Sequence, residues 1–271
     1  MLRAQKTDND RQLLVGTWLQ SGSVEAAEIV GACGFDFAII DMEHSAFGWE
    51  TVATLLRATQ TFETRGIIRV LSGDSPEIFK ALDLGADGIL VPRVRSAEEV
   101  SRIVSAATLA PTGGRGGCPT TRASLHGLST FAEAMRPGID VWILVENGEA
   151  VDAIDEILDT GVTGVVLGPF DLSLDLGFNG DVVHPEVRKR LRAVVSACAG
   201  RGILCVASIG STSGPELDAE LSQWGDVPLT AVALPSDRAV LSGNYRVLLD
   251  VATAHSHSLT NPEGVRNEMD V

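Results

Sequence analysis

Eight short apolar runs, at 13–19, 35–40, 66–71, 88–94, 140–145, 164–167, 203–207 and 230–234, constrain this chain more than any other feature. Between the first of them lie stretches with helical spacing, at 23–30, 49–59, 75–84 and 96–109. Runs apolar on both faces belong in a sheet covered on both sides, and strand–helix alternation of this length specifies parallel βαβ units. A count of eight predicts a closed (β/α)8 barrel of the α/β class rather than an open sheet. A dinucleotide-binding sheet fits poorly, because no Gly-x-Gly-x-x-Gly follows the first run. The glycines of Gly113-Gly114-Arg115-Gly116-Gly117 come after a helix instead. With 271 residues and 45% hydrophobic content, a single barrel domain is expected over 1–271, with polar tails at about 1–11 and 252–271.

Barrel active sites are built at the C-terminal ends of the strands, so polar groups there read as chemistry. The second run, ending Ile39-Ile40, breaks into Asp41-Met42-Glu43-His44: a base, a possible orienter and a metal-ligand type within four positions. One such group would suffice to cap the following helix, and Ser45 can do that. The third run carries one charge, Arg69; the fifth ends at Glu146, and the sixth continues through Gly168-Pro169-Phe170 to Asp171. All these ends open onto one mouth, where Asp41, Glu43, His44, Arg69, Glu146 and Asp171 are expected to converge. Helix capping is the plainer role for Glu146 and Asp171. As a pair from neighbouring strands they also suit a hard divalent ion such as Mg²⁺ or Mn²⁺. A 2-oxo acid chelating that ion, Arg69 beside the oxyanion, His44 moving the proton and amides around Gly168, Phe170 and Asp171 receiving the carboxylate complete the reading.

A formal charge of −15 and the lack of a basic run exclude a nucleic-acid-tracking surface. A metal and an arginine can still give local positive charge for an anionic substrate. Cys33, Cys118, Cys198 and Cys205 have no CxxC spacing, so reduced thiols in a cytoplasmic, soluble protein are expected. No apolar leader opens the chain and no run is long enough to span a bilayer. The glycine-rich connection from 111 to about 129 is long enough to be a lid or ligand loop, and equally fits a plain surface loop or a subunit contact. His255, His257 and Pro262 fall in a segment read as a solvated tail.

Ile40-Asp41-Met42-Glu43-His44, Ile68-Arg69, Asp83-x-Gly85, Val91-Pro92, Pro111-x-Gly113-x-Arg115-Gly116, Glu146 and Gly168-Pro169-x-Asp171-Leu172-Ser173 stand in one order along the chain. Together they resemble the 4-hydroxy-2-oxoheptane-1,7-dioate aldolase and 2-dehydro-3-deoxyglucarate aldolase family of class II pyruvate aldolases, from about Gly16 to Leu241. The resemblance implies a (β/α)8 barrel, commonly hexameric, that uses Mg²⁺, Mn²⁺ or Co²⁺ to cleave 4-hydroxy-2-oxo acids to pyruvate and an aldehyde. It implies metal ligands at Glu146 and Asp171, an enolate-stabilising Arg69, a proton-transfer His44 partnered by Asp83, and carboxylate-binding amides at Gly168, Phe170 and Asp171. Met42, Leu144 and Phe170 depart from common family residues and are expected to narrow the mouth or make it more apolar. The rival readings are an oxaloacetate decarboxylase on the same site, an acyl-CoA enzyme, for which no basic cluster is present, and a non-catalytic oligomer that binds metal and 2-oxo acid.

Overall fold

A computed structural model describes residues 13–129 and 139–255. Its eight parallel strands, β1 (Leu14–Leu19), β2 (Phe37–Asp41), β3 (Arg65–Arg69), β4 (Gly88–Val91), β5 (Asp140–Val145), β6 (Gly164–Leu167), β7 (Leu204–Ser208) and β8 (Ala231–Leu234), pair in sequence order. β8 returns to β1 and closes the barrel. The expected α/β barrel is therefore present, with strand ends displaced by at most three residues from the apolar runs. α1 (Val24–Cys33), α2 (Trp49–Gln60), α3 (Ser75–Asp83) and α4 (Ala97–Ala107) follow the first four strands. Beyond them come α5 (Gly148–Asp152), α6 (Ile154–Leu158), α7 (Pro169–Asp175), α8 (Pro185–Arg201), α9 (Gly214–Ser222) and α10 (Asp237–Ala254). The last helix reaches further than the expected tail boundary at 252; His257 and Pro262 lie outside the described residues.

Strand alternation sorts the apolar residues into two layers. Ile40, Ile68, Val91, Ile143 and Val165 face outward to the helices. Phe37, Ile39, Ile67, Leu90, Trp142, Leu144, Val166 and Val206 fill the barrel. The same parity carries Asp41, Arg69 and Glu146 inward, two residues beyond Ile39, Ile67 and Leu144. Apolar packing thus decides which polar residues enter the mouth.

Two large rings occupy the barrel interior, Phe37 and Trp142, edge to face with centroids 5.2 Å apart. Glycines make their room: a Cβ on Gly16 would stand 2.1 Å from the Phe37 ring, and one on Gly164 2.6 Å from the Trp142 indole. With Trp142 at its edge, Phe37 has nowhere to retreat. Gly16→Ala is therefore expected to cost about 3 kcal/mol by overpacking, read as a lower urea midpoint at unchanged slope. A shift too small to measure would show that the rings repack freely.

Candidate active site

Asp41 and Arg69 are paired across the β2–β3 ladder, and their side chains meet inside the mouth. Arg69 donates from Nε to Asp41 Oδ1 at 2.8 Å and from Nη2 to Oδ2 at 2.5 Å, a planar two-point contact. Its Nη1 lies 3.2 Å from Glu43 Oε2, and its guanidinium sits 4.8 Å from the Trp18 ring centroid. Gln20 Nε2 donates to Asp41 Oδ2 at 2.6 Å, while the amides of Glu43 and His44 donate to Oδ1 at 3.0 and 3.3 Å. Burial alone would raise the Asp41 pKa; the Arg69 hydrogen bonds and charge, with Gln20 and the His44 amide, outweigh it and hold it below the usual range. Asp41 is a buried anchor that aims Arg69 and shapes the turn bearing His44, and its carboxylate is too committed to act as a base.

His44 stands at the rim, with its side chain 61% exposed and Nε2 3.9 Å from Glu43 Oε2. Its carbonyl accepts from Arg238 Nη2 at 2.7 Å, tying the β2 loop to α10. Exposure leaves the imidazole free to reach a ligand in the mouth.

Glu146 lies just past β5 and is 7% exposed. Its Oε1 accepts the Arg93 amide at 2.7 Å. Burial raises its pKa to about 7; the Arg93 amide and Arg69 pull down, and the charges of Asp171 and Glu43 push up. Asp171 is exposed in the first turn of α7. The two acids therefore repel one another at the mouth, an electrostatic arrangement that a cation relieves. Two carboxylates with open positions around them fit an octahedral oxygen-binding ion that keeps several waters. Among the described residues no group of three or more His, Cys, Asp or Glu forms a closed metal cage.

Gly168 differs from its expected role. Its N–H donates to Val145 O at 2.9 Å as part of the ladder, so that amide is not open to a ligand. A Cβ at Gly168 would stand 2.6 Å from Glu146 Cβ, so glycine here makes space for the acid. The amides of Phe170 and Asp171, in the first turn of α7, have no acceptor among the described residues and stay open to an anion.

Asp83 is not brought to His44 within the chain. It ends α3, which runs back along the barrel, so it lies at the opposite end and pairs with Arg115 at 2.8 Å. The glycine-rich connection lies at that end too, held by Arg122 to Leu84 O and Gln60 Oε1, and its described part does not roof the mouth. Of the three departures, Met42 is buried in the outer layer with Val52 and Leu55, Leu144 faces the barrel interior, and Phe170 is 56% exposed at the rim. Met42 therefore does not narrow the mouth.

Gln20, Arg93 and Trp18 join the site without standing out in the sequence. Gln20 follows the apolar end of β1, so the strand-end rule that found Glu146 would have found it. The apolar run at 88–94 places Arg93 in the fourth strand; the strand ends at Val91, which frees Arg93 to turn toward Leu71 and Glu43.

Fold and mouth together define a (β/α)8-barrel enzyme. Residues 14–222 match the family model described as HpcH/HpaI aldolase/citrate lyase, and the chain belongs to this family of class II pyruvate aldolases. It is 36% identical to a hydroxypyruvate/pyruvate aldolase of Sagittula stellata over 65% of this chain and 71% of that protein. To a 2-keto-3-deoxy-L-rhamnonate aldolase of Escherichia coli K12 it is 33% identical over 79% and 80%. Among solved structures, an HpcH/HpaI aldolase/citrate lyase family protein from Burkholderia cenocepacia superposes with a TM-score of 0.81 at 27% identity, covering 89% of this chain and 95% of that one. A citrate synthase structure superposes at 0.79 with 27% identity, covering 90% and 94%. No helix among the described residues is long and apolar enough to cross a membrane.

Proposed function

We propose that this chain is a divalent-metal-dependent aldolase that cleaves a 4-hydroxy-2-oxo acid to pyruvate and an aldehyde. The observation that carries the reading is the pair of mutually repelling acids, Glu146 and Asp171, at the mouth that Arg69 enters. Glu146 and Asp171 would hold Mg²⁺, Mn²⁺ or Co²⁺, which when bound supplies Lewis-acid polarisation of the 2-oxo group. Arg69, immobilised by Asp41, Glu43 and Trp18, offers preorganised positive charge to the oxygen that becomes negative as the C–C bond breaks. The open Phe170 and Asp171 amides receive the substrate carboxylate. His44 removes the 4-hydroxyl proton in cleavage and returns a proton to the pyruvate methyl carbon.

The aldolases named among its relatives support the aldehyde-releasing reaction over oxaloacetate decarboxylation or mere 2-oxo-acid binding. A homo-oligomer fits the apolar side chains that α10 exposes, among them Leu241, Tyr245, Val247, Leu248 and Leu249. A family-type hexamer and a single-domain, cytoplasmic protein complete the proposal.

The test is pyruvate release from a panel of 4-hydroxy-2-oxo acids and oxaloacetate, using metal-stripped protein titrated with Mg²⁺, Mn²⁺ or Co²⁺. Cleavage should require the added ion, and His44→Ala should slow it by roughly 100-fold or more. Turnover indifferent to both the ion and His44 would sink the mechanism.

A further inference from the structure

Arg93 is a cation at the mouth that the proposed chemistry does not use. It sits two residues past β4 in a left-handed conformation, φ 59°, that side chains other than glycine and asparagine rarely adopt. The conformation serves two ends at once: the backbone N–H turns toward Glu146 Oε1, and the side chain crosses the tops of β3 and β2. Nη2 donates to Leu71 O and lies 3.1 Å from Glu43 Oε1. Nε and Nη1 have no partner among the described residues, and the side chain is 65% exposed. The guanidinium thus stands over Glu43 at the mouth, with Nε and Nη1 left to donate, while the backbone of the same residue holds Glu146. The 2-oxo acid end is already provided for by Arg69 and the Phe170 and Asp171 amides. An anion that Arg93 receives therefore belongs to the other half of the substrate.

We propose that Arg93 is a specificity-determining residue whose guanidinium binds an anionic group, carboxylate or phosphate, on the aldehyde half of the substrate. Nη2 already donates to Leu71 O and faces Glu43, so either oxyanion takes its hydrogen bond from Nε or Nη1 together with the charge of the guanidinium. This rests on the aldolase reading above.

The experiment measures kcat and KM in the synthetic direction, with saturating pyruvate and divalent ion, for butanal, succinic semialdehyde and glyceraldehyde 3-phosphate. Arg93→Asn suits the left-handed backbone and keeps the N–H for Glu146; Arg93→Lys keeps the charge and loses the guanidinium N–H groups. Wild type should favour at least one anionic aldehyde over butanal in kcat/KM. Arg93→Asn should erase roughly tenfold or more of that ratio, chiefly through KM, with Arg93→Lys between them. The anion that shows the larger loss is the one Arg93 takes. A wild type without anionic preference, or a ratio unmoved in Arg93→Asn, overturns the assignment. If wild type turns over no aldehyde, the aldolase reading fails separately and succinate binding by calorimetry judges the subsite: a Kd about tenfold weaker in Arg93→Asn upholds it, and equal values end it.

Discussion

Asp41→Ala should destabilise the protein by about 3–5 kcal/mol, because it strands a buried guanidinium. Arg69 is 7% exposed at its side chain and loses two short hydrogen bonds in one change. Glu43, 3.2 Å from Nη1, and the Trp18 face compensate part of that charge, which places the expectation toward the lower figure. The Glu43 and His44 amides and Gln20 lose their acceptor as well, so the loop bearing His44 loosens. Activity should fall with stability. Asp41→Asn, which keeps the shape and one acceptor, should fall between. The pH dependence has a definite sign. The Asp41 pKa is lowered in the folded state, so its contribution is present above the ordinary value of 3.8 and is lost as pH falls through the folded value. Urea unfolding of wild type and Asp41→Ala from pH 7 downward checks both points. The two stability curves should approach each other in acid, and curves that stay parallel would remove Asp41 as the source.

Glu146→Gln should do the reverse to stability while removing function. The folded carboxyl holds its proton up to about pH 7 where an unperturbed one releases it near 4.5. Between those values the folded state binds more protons, so stability falls as pH rises across the window. At pH 8 without metal the ionised group costs about 3 kcal/mol, and glutamine, which still accepts the Arg93 amide, avoids most of that cost. Metal-free Glu146→Gln should therefore melt higher than wild type at pH 8 and no higher at pH 5. Added divalent ion should narrow or invert the pH 8 difference, because binding stabilises only the protein that binds it. If Glu146 holds the ion as proposed, it must be ionised to do so, and metal affinity of wild type should rise as pH increases toward and past 7. Thermal melts at both pH values, with and without Mn²⁺, measure the set; a variant no more stable than wild type at pH 8 would mean that Glu146 is well solvated.

Much of this site was legible because barrels put chemistry where apolar runs stop. Asp41, Arg69, Glu146 and Asp171 were each found as polar residues at or just past such a run, and the strand alternation that buries Ile39, Ile67 and Leu144 also turns the first three of them inward. Gln20 obeys the same rule and was overlooked. Arg93 was hidden because pairing beyond Val91 gives way to a left-handed turn, which apolar patterning does not reveal.

The sequence by itself determined the eightfold strand order, and through it the barrel and the placing of Asp41, Arg69 and Glu146 at strand ends, because hydrophobic periodicity and chain order are local properties. Only the tertiary structure decided which of those groups are free to react. Asp41 became an anchor because Arg69 lies directly across the ladder from it. Gly168 became a space-maker because Val145 takes its N–H. Asp83 went to the far end because α3 runs back along the barrel. Each outcome depends on a partner distant in sequence, and hydrogen-bond satisfaction and burial are settled only when the two are brought together.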